Sequence, residues 1–356
     1  SPTASGKSLI IYMLCRHYLN MINNNILIIV PTTSLVEQLY KDFKDYGYDV
    51  ETNVSRKYHG YDIDEDKRIV ISTWQSLYKM PKKFFEDYGA VIGDEAHLFK
   101  AVSLTKIMTK LTDCKYRIGL TGTLDDSKTH KLVLQGLFGT VNRVVSTKQL
   151  IDKKQLAQLK VMCLNLKYPE VEAKKVYGVK YFEELEFLTQ NTARNKYIRN
   201  LALALKGNTL LLFQLVEKHG EILFNLIKEK ADPKRKVFFV YGGTETDDRE
   251  KIRAITEKSD NAIIVASFGT FSTGINIRNL HNIVFSSPTK SPIRVLQSIG
   301  RGLRVGDKKD SATVYDISDD LTYKDKKNFT LTHFMERVGI YNREGFNYEI
   351  HTVDLK

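Results

Sequence analysis

At 356 residues the chain is long enough for about two domains, each with its own core, and 42% hydrophobic with 27% charged content excludes a disordered or low-complexity polymer. Its 54 Lys and Arg against 42 Asp and Glu leave a formal charge of +12 and a pI near 9.3, a balance that suits a solvated surface and favours a polyanionic partner. The three cysteines, Cys15, Cys114 and Cys163, form neither a C-x-x-C metal pair nor an even disulfide set, and no apolar run approaches the length of a membrane span, so the expectation is buried thiols in a reducing cytoplasm.

The chain opens on Ser1-Pro2-Thr3-Ala4-Ser5-Gly6-Lys7-Ser8, followed by the helical run Leu9–Leu14. A loop that grips a polyphosphate needs inward-facing backbone N–H groups and a glycine where the chain approaches closely, here Gly6. Thr3 and Ser5 lie in the same loop. Lys7 then reaches the β- and γ-phosphates, and Ser8 offers a hydroxyl to Mg²⁺ at a helix N-terminus that faces the anion. Gly-Lys-Ser alone is a weak signal, expected by chance in about one chain of this length in five. Ser1 also stands where the pattern G-x-x-x-x-G-K-[ST] has its first glycine. Because residue 1 already lies in the loop, the strand that feeds it is missing and the sequence reads as a fragment.

Next, Ile26–Val30 reads as a buried strand ending at Pro31-Thr32-Thr33, followed by a helix from Ser34 to about Tyr46 with Ser34 as cap and Glu37 in the capping-box position. Strands are expected at Arg68–Thr73, Ala90–Gly93 and Tyr116–Leu120. Strands alternating with helices imply a parallel sheet covered on both faces, in which functional groups collect beyond the strands' carboxyl ends. The first domain is drawn at 1–143 and a hinge at 144–159, where the charged stretch Lys148–Gln155 loses periodicity. A second domain at 160–320 starts with a long helical stretch, Tyr181 to about Leu205, carrying Arg194-Asn195. Alternation then resumes: strand Thr209–Phe213, helix Val216–Lys228, strand Lys236–Val240, helix Thr246–Glu257 and strand Ala262–Ala266. A tail at 321–356 holds the mixed run Tyr323–Lys327 and an amphipathic helix, Leu331–Glu344, with Arg337 and Arg343, read first as a solvated closing helix.

Two further motifs turn the phosphate loop into a catalytic proposition. Asp94-Glu95-Ala96-His97 follows a buried strand, which suits Asp94 to hold Mg²⁺ and Glu95 to orient and deprotonate a water attacking the γ-phosphate; chance yields this tetrapeptide in about one chain of several hundred. Thr121-Gly122-Thr123 ends the next strand and suits a relay. Gln297-Ser298-Ile299-Gly300-Arg301-Gly302-Leu303-Arg304 places Gln297, Arg301 and Arg304 on one helix face, so that two guanidiniums can converge on an anion. Trp74, the only tryptophan, is assigned to the core ahead of base stacking.

In this order the motifs resemble those of superfamily 2 nucleic-acid helicases, over nearly the whole chain. Lys7-Ser8 look like motif I, Pro31–Thr33 motif Ia, Asp94–His97 motif II, Thr121–Thr123 motif III, Phe213-Gln214 motif IV, Ser272–Asn276 motif V and Gln297–Arg304 motif VI. Ser-Thr-Trp-Gln-Ser at 72–76, Ala266–Ile275 and Gln297–Arg301 are more narrowly similar to the UvsW helicases of T-even-like phages. The resemblance implies two tandem RecA-like α/β domains, each a mostly parallel sheet with helices on both faces, closing an ATP cleft. It implies ATP with Mg²⁺, Gly274 and Asn276 as further nucleotide contacts, His97, Thr121 and Thr123 as coupling residues, and Thr32, Thr33, Thr73, Gln75, Gly242, Gly243 and Thr273 as DNA contacts. Asn276 departs from the Asp that many members carry. The implied activity is remodelling of branched DNA and R-loops in recombination, repair and replication, by a monomer in the cytoplasm of a phage-infected bacterium. A duplex translocase that moves without separating strands and a non-catalytic nucleic-acid-binding module are the alternatives.

Overall fold

The computed structural model describes residues 5–58, 63–64, 66–98, 101–122, 128–142, 144–274, 277, 279–289, 291, 295, 298–300 and 311–355. They fall into two compact units, Ser1–Val145 and Ser146–Lys356.

The first unit is built on a parallel sheet of five strands: β1 (Asn25–Val30), β2 (Val54–Lys57), β3 (Ile69–Thr73), β4 (Tyr88–Gly93) and β5 (Tyr116–Gly119), in the spatial order β2-β3-β1-β4-β5. Strand β1 is central, with Ile28 level with Ile71 on β3 and Ile92 on β4. Its unbroken apolar run is what a strand buried on both faces requires. On one face Ile26, Ile28, Val30, Ile71 and Ile92 pack with Ile11, Cys15, Val36, Leu39 and Phe43 from the helices Lys7–Met21 and Thr33–Asp45. On the other, Leu27, Ile29, Val70 and Val91 pack with Leu77, Leu104, Ile107 and Leu134. Fully burying each such side chain contributes about 1.5–3 kcal/mol.

One helix start differs from the sequence reading. Thr32, in extended conformation, accepts from Leu35 N at 3.4 Å and caps the helix that begins at Thr33. Ser34 is therefore inside the helix, and Glu37 has other partners: it accepts from Arg56 Nη1 at 2.7 Å and Tyr58 Oη at 2.6 Å. A carboxylate with a guanidinium and a phenol in reach gains more from them than from a capping box.

Among the described residues the second unit holds seven parallel strands: β6 (Gln158–Lys167), β7 (Thr209–Phe213), β8 (Val237–Val240), β9 (Ile263–Ser267), β10 (Asn282–Phe285), β11 (Ser311–Asp320) and β12 (Asn347–Asp354), in the order β12-β6-β11-β10-β7-β9-β8. Helices contribute Leu188, Ile198, Ala202, Leu223 and Ile227 to a core with Leu211, Val265 and Val284. The residues expected as a hinge contain a capped helix, Thr147–Asp152, in which Gln149 N donates to Ser146 Oγ at 3.1 Å and Ser146 N to Gln149 Oε1 at 2.8 Å. Gln158 and Leu159 are already paired with Ser311 and Ala312.

The long helix expected from Tyr181 to Leu205 is two, Tyr181–Gln190 and Thr192–Ala204, because Asn191 turns out and caps the second by accepting from Arg194 N at 2.9 Å. The region read as a tail is part of the sheet. The helix Phe329–Glu344 packs on it, and β12 pairs with β6 from Asn347 to Asp354. Arg337 is fully buried on this helix, whereas the sequence reading had the helix solvated.

Candidate nucleotide and nucleic-acid site

Gly6 caps the first helix with φ 80° and ψ 31°, a left-handed conformation that glycine adopts without strain. The helix opens at Lys7, one residue before the Ser8 start expected, and Ser5 precedes the cap. Strand β4 delivers the acidic motif to the same place. Beyond Gly93, Asp94 N donates to Ile29 O at 2.9 Å and Ala96 N to Leu120 O at 2.9 Å, so the turn is tied to the ends of β1 and β5. Glu95 itself has φ 48°, a region an L-residue with a long side chain rarely enters. That backbone aims its carboxylate at Lys7, whose Nζ lies 3.6 Å from Glu95 Oε1.

The other Glu95 oxygen lies 3.4 Å from His97 Nδ1, and the same ring nitrogen is 2.6 Å from Thr121 Oγ1. Lys7, Glu95, His97 and Thr121 thus lie in series from the phosphate loop across the carboxyl ends of β4 and β5, with Glu95 Oε2 buried and accepting no hydrogen bond among the described residues. Asp94 is 6% exposed and its Oδ1 accepts from Glu95 N at 2.9 Å. Burial, followed by the neighbouring Glu95 charge, pushes its carboxyl up to about 6, with Lys7 opposing. Such an acid gains from a cation beside it.

The donor set fits Mg²⁺. Among the described residues no three His, Cys, Asp or Glu side chains gather into a metal cage, and a single carboxylate with a hydroxyl is what this hard ion uses when phosphates and water complete its shell. Asp94 and Ser8 are the residues that would hold it. Ser8 Oγ lies 3.0 Å from the Tyr46 hydroxyl, a partner the sequence reading did not find.

Two candidate DNA-contact segments meet at the same sheet edge. Val30 on β1 is in register with Thr73 on β3, and Gln75 Nε2 donates to Pro31 O at 3.3 Å. Thr33 and Gln75 are exposed and Thr32 is half-buried, but Thr73 is 4% exposed and its hydroxyl is 3.0 Å from Ser76 Oγ. Trp74 is half-buried against the core under this edge. In the second unit, Gly242 and Gly243 form an exposed turn after β8, closed by Thr244 N to Tyr241 O at 3.0 Å and held by Arg249 Nη2 on Gly242 O at 2.9 Å. Thr273 and Gly274 end the helix Phe268–Gly274 that follows β9. Thr3, Thr123, Asn276, Gln297, Arg301 and Arg304 lie outside the described residues.

Sequence reasoning also missed two buried ion pairs at the carboxyl ends of β10 and β11. Arg194 donates through Nε and Nη2 to the two Asp319 oxygens at 2.8 and 3.1 Å, and through Nη2 to Ser286 O at 2.8 Å. Tyr168 Oη donates to the same carboxylate at 2.8 Å. Arg337 donates to Asp316 from Nε and Nη2, at 2.9 and 2.8 Å, and from Nη1 to Thr289 O at 3.0 Å. Beside Arg194, burial and then the guanidinium push His219 well below its usual range, and its Nδ1 lies 2.8 Å from Ser287 Oγ. The partners are more than a hundred residues apart for Arg194 and Asp319, so only Arg194's place on a helix was a signal.

Comparison with known proteins bears on the whole chain. Residues 1–126 match the family model of the type III restriction enzyme res subunit, and residues 193–306 that of the helicase conserved C-terminal domain. The chain is 38% identical over 371 residues to the ATP-dependent DNA helicase uvsW of Enterobacteria phage T4, covering 99% of this chain and 73% of that protein. Among solved structures, the ATP-dependent type ISP restriction-modification enzyme LlaBIII bound to DNA aligns with TM-score 0.70 at 14% identity, covering 99% of this chain and 30% of that one. The Hef helicase domain of Pyrococcus furiosus aligns with TM-score 0.61 at 13% identity, covering 94% of each chain. At these identities the structural likeness is one of fold, two tandem RecA-like units, while the relation to the phage enzyme is one of sequence along nearly the full chain. The chain therefore belongs to the superfamily 2 ATP-dependent helicases, as a relative of UvsW.

Proposed function

We propose that this chain is the motor of an ATP-dependent DNA helicase that unwinds or remodels branched DNA and R-loops in recombination, repair and replication. The observation that carries the reading is the polar series Lys7–Glu95–His97–Thr121, which leads from a phosphate-gripping lysine to a candidate general base and on to a relay. ATP enters with its phosphates at Ser5–Ser8, displacing Glu95 from Lys7. Freed from that ion pair, Glu95 orients the attacking water and accepts its proton. Asp94 and Ser8 are the residues that would hold Mg²⁺, which when bound would neutralise phosphate charge. Arg301 and Arg304, with Gln297, are proposed to bring guanidinium charge to the γ-phosphate, a contribution of about 10³–10⁵ in rate where such fingers act. Gly274 and Asn276 complete the nucleotide contacts, and Thr3 and Thr123 extend the loop and the relay.

DNA is proposed to lie along Thr32, Thr33, Thr73, Gln75, Gly242, Gly243 and Thr273, which offer hydroxyls and backbone N–H groups to phosphates. Thr33, Gln75 and the glycine turn have the exposure such contacts need; the buried Thr73 serves through its backbone. The net charge of +12 supports a polyanionic partner, and among the described residues no helix is long and apolar enough to cross a membrane. A monomer in the bacterial cytoplasm is the setting proposed.

Lys7→Ala and Glu95→Gln are expected to abolish DNA-stimulated phosphate release while leaving DNA binding largely intact; normal turnover in either variant sinks the assignment. The match of residues 1–126 to a restriction-enzyme motor favours one second reading, a duplex translocase. Displacement of a labelled strand from a fork, set against displacement of a triplex strand, separates the two.

A further inference from the structure

Ser8, the candidate metal-ligating hydroxyl, has a partner for which the proposed function has no use. Its Oγ lies 3.0 Å from the hydroxyl of Tyr46, which is 38 residues further along the chain. We infer that Tyr46 is a positioning residue for the metal–nucleotide complex, setting the direction of the Ser8 hydroxyl proton; this rests on the nucleotide-site reading above.

The hydroxyl of Tyr46 is pre-placed. Its residue is the C-cap of the helix Thr33–Asp45, with its N–H donating to Asp42 O at 2.9 Å. Its ring lies against Tyr12 at 5.4 Å between centroids, and Tyr12 is in turn fixed by Phe43 at 5.3 Å and Tyr48 at 5.8 Å. Arg16 Nη1 donates to Tyr12 Oη at 3.0 Å, so the aromatic cluster is pinned from the first helix as well. Tyr12 is four residues after Ser8 on that helix, one turn away on the same face. The edge-on and tilted ring contacts that hold Tyr12 therefore also bring the Tyr46 hydroxyl over Ser8.

The chemistry follows from the inventory of a serine hydroxyl, one proton and two lone pairs. When a lone pair faces a divalent cation, the proton must point away from it. Cation binding polarises the O–H bond and makes that proton a better donor. Either hydroxyl of this pair can donate, and with a cation on the Ser8 oxygen it is the Ser8 proton that turns to Tyr46 Oη, which fixes the direction of the Ser8 hydroxyl. Without this partner the hydroxyl is left to rotate and bond to water. Tyr46 is 37% exposed, so removing its hydroxyl leaves no buried cavity, and the phenylalanine ring keeps the contact with Tyr12.

The test is Tyr46→Phe in the full chain, with Mg²⁺ titrated against a fixed concentration of a fluorescent, non-hydrolysable ATP analogue. The expected result is a rise of about three- to tenfold in the Mg²⁺ needed for half-maximal binding, the range one lost hydrogen bond gives. Binding of the analogue in EDTA and thermal stability should stay as in the wild type, which a general loosening of the fold would not allow. In a Ser8→Ala background the same substitution should add nothing. Identical Mg²⁺ titrations for wild type and Tyr46→Phe, or an equal effect with and without Ser8, overturn the inference and leave the nucleotide site standing, provided Lys7→Ala abolishes analogue binding in the same assay. A wild-type chain that binds no analogue at any Mg²⁺ concentration overturns the site and the inference together.

Discussion

Both sheets present buried charge at the carboxyl ends of their strands, and they treat it in opposite ways. In the first unit, Asp94 is buried with its carboxyl pushed up to about 6, Glu95 sits on a strained backbone, and Lys7 is held at 3.6 Å, too far for a strong hydrogen bond. In the second unit, Asp319 accepts two guanidinium hydrogen bonds and Asp316 three, each carboxylate also accepts from a tyrosine hydroxyl, and the arginines donate in addition to Ser286 O and Thr289 O. A charge with every partner supplied has nothing left to offer a ligand. A carboxyl that burial holds above its usual range gains from an incoming cation, so the first edge suits a ligand and the second a fixed backbone.

The comparison can be broken most directly at the arginines. Arg194→Met should destabilise the chain by about 3–5 kcal/mol, because Asp319 would be buried without its counter-charge. The double replacement Arg194→Met/Asp319→Leu should recover much of that loss. Urea denaturation measures both, and a loss under about 1 kcal/mol in the single variant would mean that the pair does not support the second edge.

At the first edge the sign reverses. Asp94 has a folded-state pKa above the usual 3.8, so ionising it in the fold is unfavourable. The penalty is absent below about pH 4, grows as pH rises, and is fully present above about 6. Asp94→Asn should therefore raise stability by about 2–3 kcal/mol at neutral pH while removing Mg²⁺-dependent nucleotide binding, a trade expected of a functional group. In the wild type, Mg²⁺-nucleotide affinity should fall as pH drops through about 6. A stability that does not change on Asp94→Asn would break the contrast. The smallest effect is expected at Thr32, where Thr32→Ala removes a long capping bond and should cost about 0.5–1 kcal/mol, with weaker DNA binding by filter retention at fixed salt.

What the sequence made legible follows from burial. Strands β1, β3, β4, β7 and β9 each carry a run of at least three buried apolar residues, as strands covered on both faces require, and a continuous run such as Ile26–Val30 announces itself. Two of the outer strands, β2 and β12, do not. Strand β2 reads Val-Ser-Arg-Lys and β12 Asn-Tyr-Glu-Ile-His-Thr-Val-Asp, and β12 is exposed along most of its length, so neither carries a hydrophobic signature. Strand β6 alternates, with Leu159, Val161 and Cys163 inward, and its charged approach disguised it as a hinge.

The same distinction governs the site. Lys7, Asp94, Glu95 and His97 were legible as candidates because a local motif carries each of them. Tyr46 on Ser8, and Arg194 on Asp319, are contacts made by the folded chain between distant segments, and no local spacing encodes them. The shift of the helix cap from Ser34 to Thr32 has a third cause, competition: Arg56 and Tyr58 claim Glu37, and both are remote from it in sequence.

The outermost strand of the second sheet has a consequence of another kind. Among the described residues β12 pairs with β6 alone, so its other side offers a row of backbone donors and acceptors to any passing strand, and Ile350 is half exposed beside them. That geometry is a template for sheet-to-sheet aggregation. Here it is guarded by ionic side chains: Glu349 holds Lys160 at 2.9 Å and His351 at 3.3 Å, and Asp354 closes the strand. Another chain laid along this edge must strip water from those charges, a cost that counts against strand-to-strand association there.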